Sequence, residues 1–314
     1  MLRSAQTLSH LRSVGGGIFA MRLVAHSTHL AGLLLALAAC GSGARAPARG
    51  PVTFPDDAGR AVTLAAPARR VVSLSPSFTE ILFALGAGER IVGRTTWCDY
   101  PAAALAVPSV GDGLNPNVEA VAARQPDLVV LYRSALDETA AAQLSRLGIA
   151  AALLRQDRLA DVAHAARLLG RAVGDSARGD SLAGVIDAFL ATPPPPATTR
   201  VAFVVWDNPP IVIGAGSYLD ELARLAGASN VFHDLGSASA EVSLETLAVR
   251  DPDVIVVLVD STKAPAFAAK REWQSVRAVR DRRFVYLVGS LFGRPNPRMR
   301  EAAAEFRRRL QVAR

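Results

Sequence analysis

Residues 118–130 read VEAVAARQPDLVV, and residues 244–256 read LETLAVRDPDVIV. In both stretches a short helical pattern stops at the dipeptide Pro-Asp, and an apolar run typical of a buried strand follows. Glu119 and Glu245 occupy matching places in the two copies. The copies lie much farther apart than the roughly 20–50 residues of a solenoid or propeller repeat. The repetition therefore predicts two similar lobes that use the same helix-to-strand unit.

The rest of the chain alternates short apolar strands with helices of about ten residues, a pattern typical of βα units and a mostly parallel sheet. A longer helical pattern over residues 159–190 separates the two halves, with soft breaks at Gly174 and Gly179, and prolines end it. We therefore predict an α/β fold with one lobe, a long connecting helix and a second lobe. The predicted strands are residues 70–75, 91–94, 128–132, 148–154, 201–206, 254–259 and 284–288.

The composition is that of a folded globular protein, because half of the 314 residues are apolar and a fifth are charged. The formal net charge of +7 would by itself suit a nucleic-acid partner. However, residues 1–39 contain three arginines and no acidic residue, and the remaining arginines are scattered among acids. This distribution forms no extended basic run, so we predict no nucleic-acid partner.

The N-terminus has the pattern of an export signal. Basic residues precede the apolar stretch Leu30–Ala39, which is too short to span a bilayer and ends at Cys40. The sequence LAACG resembles the lipobox of bacterial lipoproteins, which implies a signal peptide over residues 1–39 and acylation of Cys40. Residues 40–51 are rich in Gly, Ala and Pro and predict a flexible tether.

Acyl chains would hold the exported protein at a membrane surface, in the periplasm or outside the cell. An ordinary cleavage site with an incidental cysteine is the alternative. Either Met1 or Met21 could be the start, since a signal from Met21 has a more usual length.

Few residues of the mature chain could supply chemistry. If Cys40 is acylated, Cys98 is the other cysteine, and His164 and His233 are the histidines that follow the signal. This set offers no intrachain disulfide and falls short of the about three or four nitrogen and sulfur ligands of a zinc site. The stretch GAGSYL at 214–219 lacks the third glycine of a dinucleotide fingerprint and predicts a turn. We predict no catalytic residue, metal site or cofactor, with a metal-dependent hydrolase on a similar sheet as an alternative.

Large aromatic residues follow predicted strands at their carboxyl ends, where ligands bind in parallel α/β sheets. Only 6% of the chain is aromatic, so their recurrence there predicts an apolar crevice between the lobes for a large, rigid ligand. Arginines nearby could meet carboxylate, phosphate or amide oxygens. The alternative is that the aromatics are ordinary core residues. The aromatics are Trp97, Tyr132, Trp206 and Phe292, and the arginines are Arg94, Arg133 and Arg294.

The repeated glutamates lie just inside two predicted helices, after Asn117 and Ser243 respectively. An acid in the first turn complements the helix dipole and stabilises the helix by about 0.3–1 kcal/mol without any further role. Two such acids, one in each lobe, would also suit a two-fold partner that presents arginines. We favour the second interpretation of Glu119 and Glu245 because the pair is duplicated.

Five stretches taken together are similar to the helical-backbone periplasmic binding proteins, which capture cobalamin, ferric siderophores or haem for ABC importers. The resemblance covers about residues 52–312. Within the family, WCDYP at 97–101 and NPP at 208–210 look most like the cobalamin-binding branch. The resemblance implies two Rossmann-like lobes, a rigid connecting helix and a cleft that closes little on binding. The stretches are VVSLSPSFTEILFALGAGERIVG, TTWCDYP, NVEAVAARQPDLVV, GSYLDELARLAGASNVF and SLETLAVRDPDVIVV.

The resemblance implies a ligand-binding role for five aromatic side chains and one arginine. In cobalamin-binding relatives, further tryptophans that contact the ligand fall near Asp112-Gly113 and near Ala240, and this chain has no aromatic at either place. Glu119 and Glu245 match two acids that engage arginines of the membrane permease. The expected ligand-binding residues are Trp97, Tyr100, Tyr132, Trp206, Phe292 and Arg294.

The resemblance thus predicts a monomeric substrate-binding lipoprotein that captures a cobalamin-like corrinoid and delivers it to a permease dimer with its ATPase. A ferric siderophore or haem is the alternative cargo. A siderophore would use the arginines near the cleft, whereas haem would require an axial Tyr or His. The expected domains are a signal peptide (1–39), a tether (40–51), an N-terminal α/β lobe (52–172), a connecting helix with a proline-rich end (173–197) and a C-terminal α/β lobe (198–314).

Overall fold

The computed structural model describes residues 50–259 and 263–313. The predicted signal peptide, Cys40 and most of the predicted tether lie outside the described residues, so export and acylation stay predictions. Within the described part, no helix is both long enough and apolar enough to cross a membrane.

The first lobe combines a small antiparallel hairpin with a parallel sheet. Its strands are β1 (Val52–Pro55), β2 (Ala61–Leu64), β3 (Val71–Ser73), β4 (Ile91–Arg94), β5 (Leu128–Tyr132) and β6 (Ala150–Leu154). Strands β1 and β2 form the hairpin, and the others form a parallel sheet in the order β4-β3-β5-β6. Its helices are α1 (Pro76–Ala84), α2 (Val118–Ala122), α3 (Ala135–Arg146) and α4 (Leu159–Ala172).

Helix α5 (Ser176–Ala191) leads to the second lobe, which has a mixed sheet. Its strands are β7 (Thr199–Asp207), β8 (Pro210–Ile213), β9 (Ala228–Asn230), β10 (Ser239–Glu241), β11 (Val254–Val259) and β12 (Phe284–Val288). Its helices are α6 (Tyr218–Ala226), α7 (Leu244–Arg250), α8 (Arg277–Arg280) and α9 (Met299–Val312). Short 3₁₀ turns occur at Gly88–Arg90, Ala102–Ala106, Ala266–Ala269 and Glu272–Ser275.

The two lobes share the same parallel core. The order β4-β3-β5-β6 of the first lobe corresponds to β9-β7-β11-β12 in the second, with all neighbours parallel. The second lobe adds β8 and β10, which extend the sheet with antiparallel neighbours. The predicted α/β class with two similar, mostly parallel lobes is confirmed. The sequence did not predict β10 because its three residues, SAE, have no apolar pattern and are mainly exposed.

The repeated helix-to-strand unit is held by equivalent polar contacts in both lobes. In the first lobe, Asp127 accepts a hydrogen bond from the backbone N–H of Arg70, whose guanidinium donates to two carbonyls just beyond α2. In the second lobe, Asp253 accepts from the N–H of Arg200, whose guanidinium donates to two carbonyls at the end of α7. In each lobe, the aspartate of the Pro-Asp dipeptide and the arginine that it binds therefore join the end of a helix to the start of the two central strands.

Each sheet buries both faces, as expected of parallel strands covered by helices. In β5, Leu128 and Val130 belong to one apolar cluster, whereas Val129 and Leu131 belong to another. The same alternation occurs in β11. The first of these clusters contains buried residues of both lobes. The lobes therefore share a continuous apolar core in addition to the chain connection.

The helical pattern over residues 159–190 divides into α4 and α5, and the break falls at Gly174. Its φ of +78° lies in the left-handed region that favours glycine, and Asp175 then caps α5 by accepting from the N–H of Arg178. Gly179, where a second soft break was expected, lies inside α5 instead. Helix α5 is the long connection between the lobes. Near its start, the guanidinium of Arg178 donates to the carbonyl of Leu85 in the first lobe. The exact domain limits stay a prediction.

Helices α4 and α5 are antiparallel and unusually close. A side-chain ion pair joins Arg167 to Asp187 at 2.5 Å, whereas Gly170 meets Gly179 nearer the turn. A Cβ atom added to Gly179 would lie 2.7 Å from the carbonyl oxygen of Ala166, which is shorter than van der Waals contact. Glycine at this position therefore allows the connecting helix to pack directly on the first lobe.

Two glycines of α5 allow a matched test of this close packing. We expect Gly179→Ala to lower the free energy of unfolding by about 1–3 kcal/mol, because the methyl group overpacks the helix contact. Gly184→Ala, on an open face of the same helix, should raise it by about 0.5–1 kcal/mol through helix propensity. Urea denaturation measures the change in the free energy of unfolding for both variants. Changes of the same sign would contradict the close contact.

Candidate functional site

A cleft lies between the lobes at the carboxyl ends of the parallel strands. Its cavity has a volume of about 850 Å³, within the range of small-molecule sites. The first lobe lines it with the segments that follow β3, β4, β5 and β6, and the second lobe with α6 and the loop after β12. The predicted ligand cleft between the lobes is therefore present.

Trp97 and Tyr132 are the two predicted aromatics that line the cleft. Trp97 is 61% exposed, which is high for a tryptophan and leaves its ring free to contact a ligand. Tyr132 donates from its hydroxyl to Asp157 Oδ1 at 2.5 Å. Burial raises the pKa of Tyr132 to about 12, together with this hydrogen bond and the negative charges of Asp157, Asp137 and Asp161.

The loop that carries Trp97 is fixed by the next residue. Cys98 is fully buried, and its Sγ lies 3.1 Å from Thr79 Oγ1 and 3.2 Å from Thr95 Oγ1. Two hydroxyls thus hold a small buried side chain directly beside an exposed tryptophan. This position gives Cys98 a structural role, and a buried thiol is inert compared with an exposed thiolate.

Arg294 lines the cleft as predicted, but its guanidinium is already engaged. It reaches from the second lobe to Glu80 on α1 at 2.8 Å and to Asp99 at 2.5 Å. Arg298 binds the other carboxylate oxygen of Glu80 at 2.9 Å. The side chain of Glu80 is only 2% exposed. This cluster of four charges, two acids from the first lobe and two arginines from the second, joins the lobes behind the cleft.

Tyr100 belongs to this cluster and does not line the cavity. The guanidinium carbon of Arg298 lies 3.6 Å from the centroid of its ring, a cation–π contact. The ring thus packs against the Arg298 guanidinium of the ion cluster. The ligand-binding role expected for Tyr100 stays a prediction, and the contact gives the ring a second role in joining the lobes.

A second set of contacts joins the lobes at the start of α4. Arg158 binds Glu221 of α6 at 2.6 Å and donates to the carbonyl of Ala215. The backbone N–H of Tyr218 donates to the carbonyl of Asp157 across the same boundary. Together with the ion cluster and α5, these contacts restrict hinge movement between the lobes.

Two predicted aromatics lie elsewhere. Phe292 is 1% exposed and packs in the core, with Arg309 over its ring, so the expectation that its ring faces the ligand is corrected. Its carbonyl instead accepts a hydrogen bond from the Tyr218 hydroxyl at 2.8 Å. Trp206 is 60% exposed near the turn between β7 and β8, and does not line this cavity. Its indole N–H donates to the carbonyl of Asn208.

The other two arginines considered from sequence do not line the cavity. Arg94 donates to the carbonyls of Thr95, Leu105 and Val107. These bonds hold the 3₁₀ turn Ala102–Ala106 against the end of β4. Arg133 is exposed, and its guanidinium lies 4.0 Å from Glu138.

Sequence reasoning missed several residues of the cleft. Leu114 and Leu136 line it with large exposed apolar surfaces, and Leu114 directly follows the Asp112-Gly113 pair. The position of Leu136 soon after β5 was a usable signal, but only aromatic residues were considered there, whereas Leu114 lies far beyond β4 and no strand end marks it. Tyr218, inside the stretch interpreted as a turn, also lines the cleft. The cleft further contains acidic residues that the sequence did not single out: Asp99, Asp112, Asp137 and Asp157.

Glu119 and Glu245 both lie in the first turn of a helix and are exposed. Asn117 and Ser243 cap these helices with side-chain hydrogen bonds, as expected. Hydrogen bonds from its own backbone N–H and from Ser243 hold the pKa of Glu245 below its usual range. The docking role of the two acids stays a prediction.

The two histidines among the described residues each contact one carboxylate. His164 lies 2.9 Å from Asp57, and His233 lies 2.9 Å from Asp220. Within residues 50–259 and 263–313, no three His, Cys, Asp or Glu side chains are grouped so that they could hold a metal ion.

The family model for the periplasmic binding proteins matches residues 71–291, which is most of the described chain. The chain belongs to the periplasmic binding protein family. The match includes both copies of the repeated unit and the strands that form the cleft. This membership agrees with the resemblance noted from the sequence.

Named relatives fall into more than one group. An uncharacterized ABC transporter substrate-binding lipoprotein of Bacillus subtilis, YvrC, is 31% identical over 266 residues, covering 81% of this chain and 84% of its own. The solved periplasmic vitamin B12-binding protein BtuF of Vibrio cholerae is 25% identical, with a TM-score of 0.64, and covers 79% of this chain and 98% of its own. The periplasmic haem-binding protein RhuT of Roseiflexus is 26% identical, with a TM-score of 0.68, and covers 78% and 99%.

The ion cluster between the lobes can be tested by removing its central charge. Glu80→Gln leaves two largely buried arginines without their shared carboxylate, so we expect the free energy of unfolding to fall by about 3 kcal/mol. Asp187→Asn removes an ion pair on the outside of α4 and α5 and should cost less than about 1 kcal/mol. Guanidinium denaturation of both variants gives the comparison. Equal losses would show that the cluster contributes no more than a surface ion pair.

Proposed function

We propose that this protein is the substrate-binding lipoprotein of an ABC importer and captures a cobalamin-like corrinoid in the cleft between its lobes. It carries out no chemistry on the cargo and delivers it to a permease dimer with its ATPase. The observation that carries this proposal is the cavity of about 850 Å³ with the exposed ring of Trp97 in it. An apolar ring beside polar side chains suits a large, flat cargo with amide groups at its edge.

The relatives support this proposal at two levels. YvrC supports the role in an ABC transporter, because its name states that role. Vitamin B12-binding proteins of Vibrio and cobalamin-binding proteins of Halobacterium support the corrinoid cargo. A second candidate is haem, favoured by the relative RhuT and by two cleft tyrosines, Tyr132 and Tyr218. Both tyrosine hydroxyls already donate within the protein, so haem ligation would require one of these bonds to break.

The anchor and the docking acids complete the proposed role. Acylation of Cys40 would hold the protein at a membrane while the tether allows it to reach the permease. Glu119 and Glu245, one on each lobe, would pair with arginines on the two halves of the permease. Such rim charges mainly determine association rate and orientation.

The cargo is tested by calorimetric titration with cyanocobalamin. Trp97→Ala should weaken binding about 30-fold, which is about 2 kcal/mol for the loss of part of an aromatic contact. Trp206→Ala is the comparison, because that ring is equally exposed but does not line the cavity. We expect a change of at most about twofold for it. Absence of binding by the unchanged protein at micromolar cyanocobalamin would refute a corrinoid cargo and leave the importer role standing.

The docking role is tested by reversing both charges. Glu119→Arg with Glu245→Arg should abolish cargo uptake by proteoliposomes that contain the cognate permease, while cargo affinity stays unchanged. The matched control is Glu138→Arg with Glu301→Arg, two exposed acids in the first turns of α3 and α9. The control carries the same helix-dipole cost of about 0.3–1 kcal/mol at each site. Normal uptake by the Glu119→Arg, Glu245→Arg variant would show that both acids have a structural role only.

A further inference from the structure

The charges that line the cleft are unequal. Four aspartates line the cavity, whereas Arg294 is the one Lys or Arg among the described residues that do so. In a cleft with low-dielectric walls, charges of one sign reinforce one another and act on any ligand that enters. The effect on a ligand therefore depends on which of these charges are already neutralised within the protein.

Arg294 is fully engaged by acids of the first lobe. It binds Glu80 and Asp99, and Arg298 shares Glu80. Two arginines thus meet two carboxylates, so the cluster is neutral as a unit. The positive charge of Arg294 is not available to an anionic ligand unless an existing ion pair between the lobes breaks.

The remaining acids of the cleft have neutral partners. Asp112 accepts from the backbone N–H of Leu114, and Asp157 accepts from the hydroxyl of Tyr132. Burial raises the pKa of Asp137, which also accepts from Ser134. Asp137 is buried, so we count Asp112 and Asp157 as the two exposed acids of the cleft wall that no arginine neutralises.

Two arginines in the adjoining segments lie beside other acids. Arg133 lies beside Glu138, and Arg158 binds Glu221. Burial is the largest cause that raises the pKa of Tyr132 to about 12, and the hydrogen bond to Asp157 and the neighbouring negative charges raise it further. Burial disfavours charge of either sign, whereas the contribution of the acids disfavours an anion and favours a cation.

The apolar part of the cleft agrees with this preference. Trp97 presents an exposed indole face, and aromatic faces attract cations through the ring quadrupole. Leu114 and Leu136 add uncharged apolar surface. A ligand with an apolar body and a positively charged group would therefore satisfy both the rings and the acids.

We propose that the cleft selects cargo with a positively charged edge and discriminates against anionic cargo, through Asp112 and Asp157. This inference rests on the proposed function, since it concerns the cargo of the same cleft. For a corrinoid, it favours derivatives with a positive charge over the neutral vitamin, and the neutral vitamin over derivatives with a carboxylate. For other cargo, it disfavours haem, which carries propionates, and anionic ferric chelates.

Three corrinoids whose peripheral side chain is neutral, negatively charged or positively charged at one position test the inference. The probes are cyanocobalamin, its monocarboxylate made by hydrolysis of one propionamide, and the aminoethyl amide of that carboxylate. We expect the cationic amide to bind at least about tenfold more tightly than the carboxylate at about 50 mM salt. The ratio should fall towards one at about 500 mM salt, because salt screens these exposed charges.

Variants assign the preference to named residues. Asp112→Asn with Asp157→Asn should reduce the ratio of cationic to anionic affinity to within about threefold, because both counted charges are removed. Asp180→Asn removes an exposed acid of α5 that does not line the cavity and should leave the ratio unchanged. An unchanged ratio in the double variant overturns the assignment to these two aspartates.

The outcomes separate this inference from the proposed function. Equal binding of the three corrinoids, or tighter binding of the carboxylate, overturns the charge preference and leaves corrinoid capture standing. If no corrinoid binds, the proposed cargo fails, and a hydroxamate siderophore with a free ammonium group is compared with its N-acetylated form. Tighter binding of the ammonium form supports the charge preference. Equal binding of the two forms, tight binding of haem, or no binding of any of these ligands overturns it.

Discussion

A single buried carboxylate, Glu80, holds the two lobes in register. It lies on α1 of the first lobe and meets two arginines that come from the segment after β12 in the second lobe. Buried charges are stable only when they are paired and hydrogen-bonded, so either lobe would be left with uncompensated charge if the cleft opened widely. The shared apolar core and the close contact of α4 with α5 act in the same direction. The cleft is therefore a preformed site between lobes that move little.

The duplicated architecture explains why the cleft lies where it does. Parallel strands present their carboxyl ends at the same edge of each sheet, and the two lobes turn these edges towards the same space. The Pro-Asp units start the central strands at equivalent places by equivalent contacts with Arg70 and Arg200. Loops after the strands are then free to differ, and in this chain they supply Trp97, the leucines and the aspartates of the cleft.

The charges of the site are divided between two tasks. Arginines near the cleft, which would suit an anionic cargo if considered alone, are used to join the lobes and to hold loops. The acids that remain beside the cavity have neutral partners and act on the space where cargo would lie. The proposed corrinoid cargo and the proposed preference for positive charge concern the same wall of the cleft, which carries both Trp97 and the carboxylates.

The sequence by itself determined seven of the twelve described strands and the two-lobe plan. Strands β4, β5, β11 and β12 have the predicted bounds. Strands β5 and β11, for example, are apolar runs that directly follow a Pro-Asp dipeptide, and local signals determine such elements. It also identified Trp97, Tyr132 and Arg294 as cleft residues from their positions after strand ends. Only the tertiary structure decided that Phe292 turns into the core and that Arg294 is neutralised by Glu80, a residue more than two hundred positions away. The reason is that burial and charge pairing depend on contacts between distant segments, which no local pattern records.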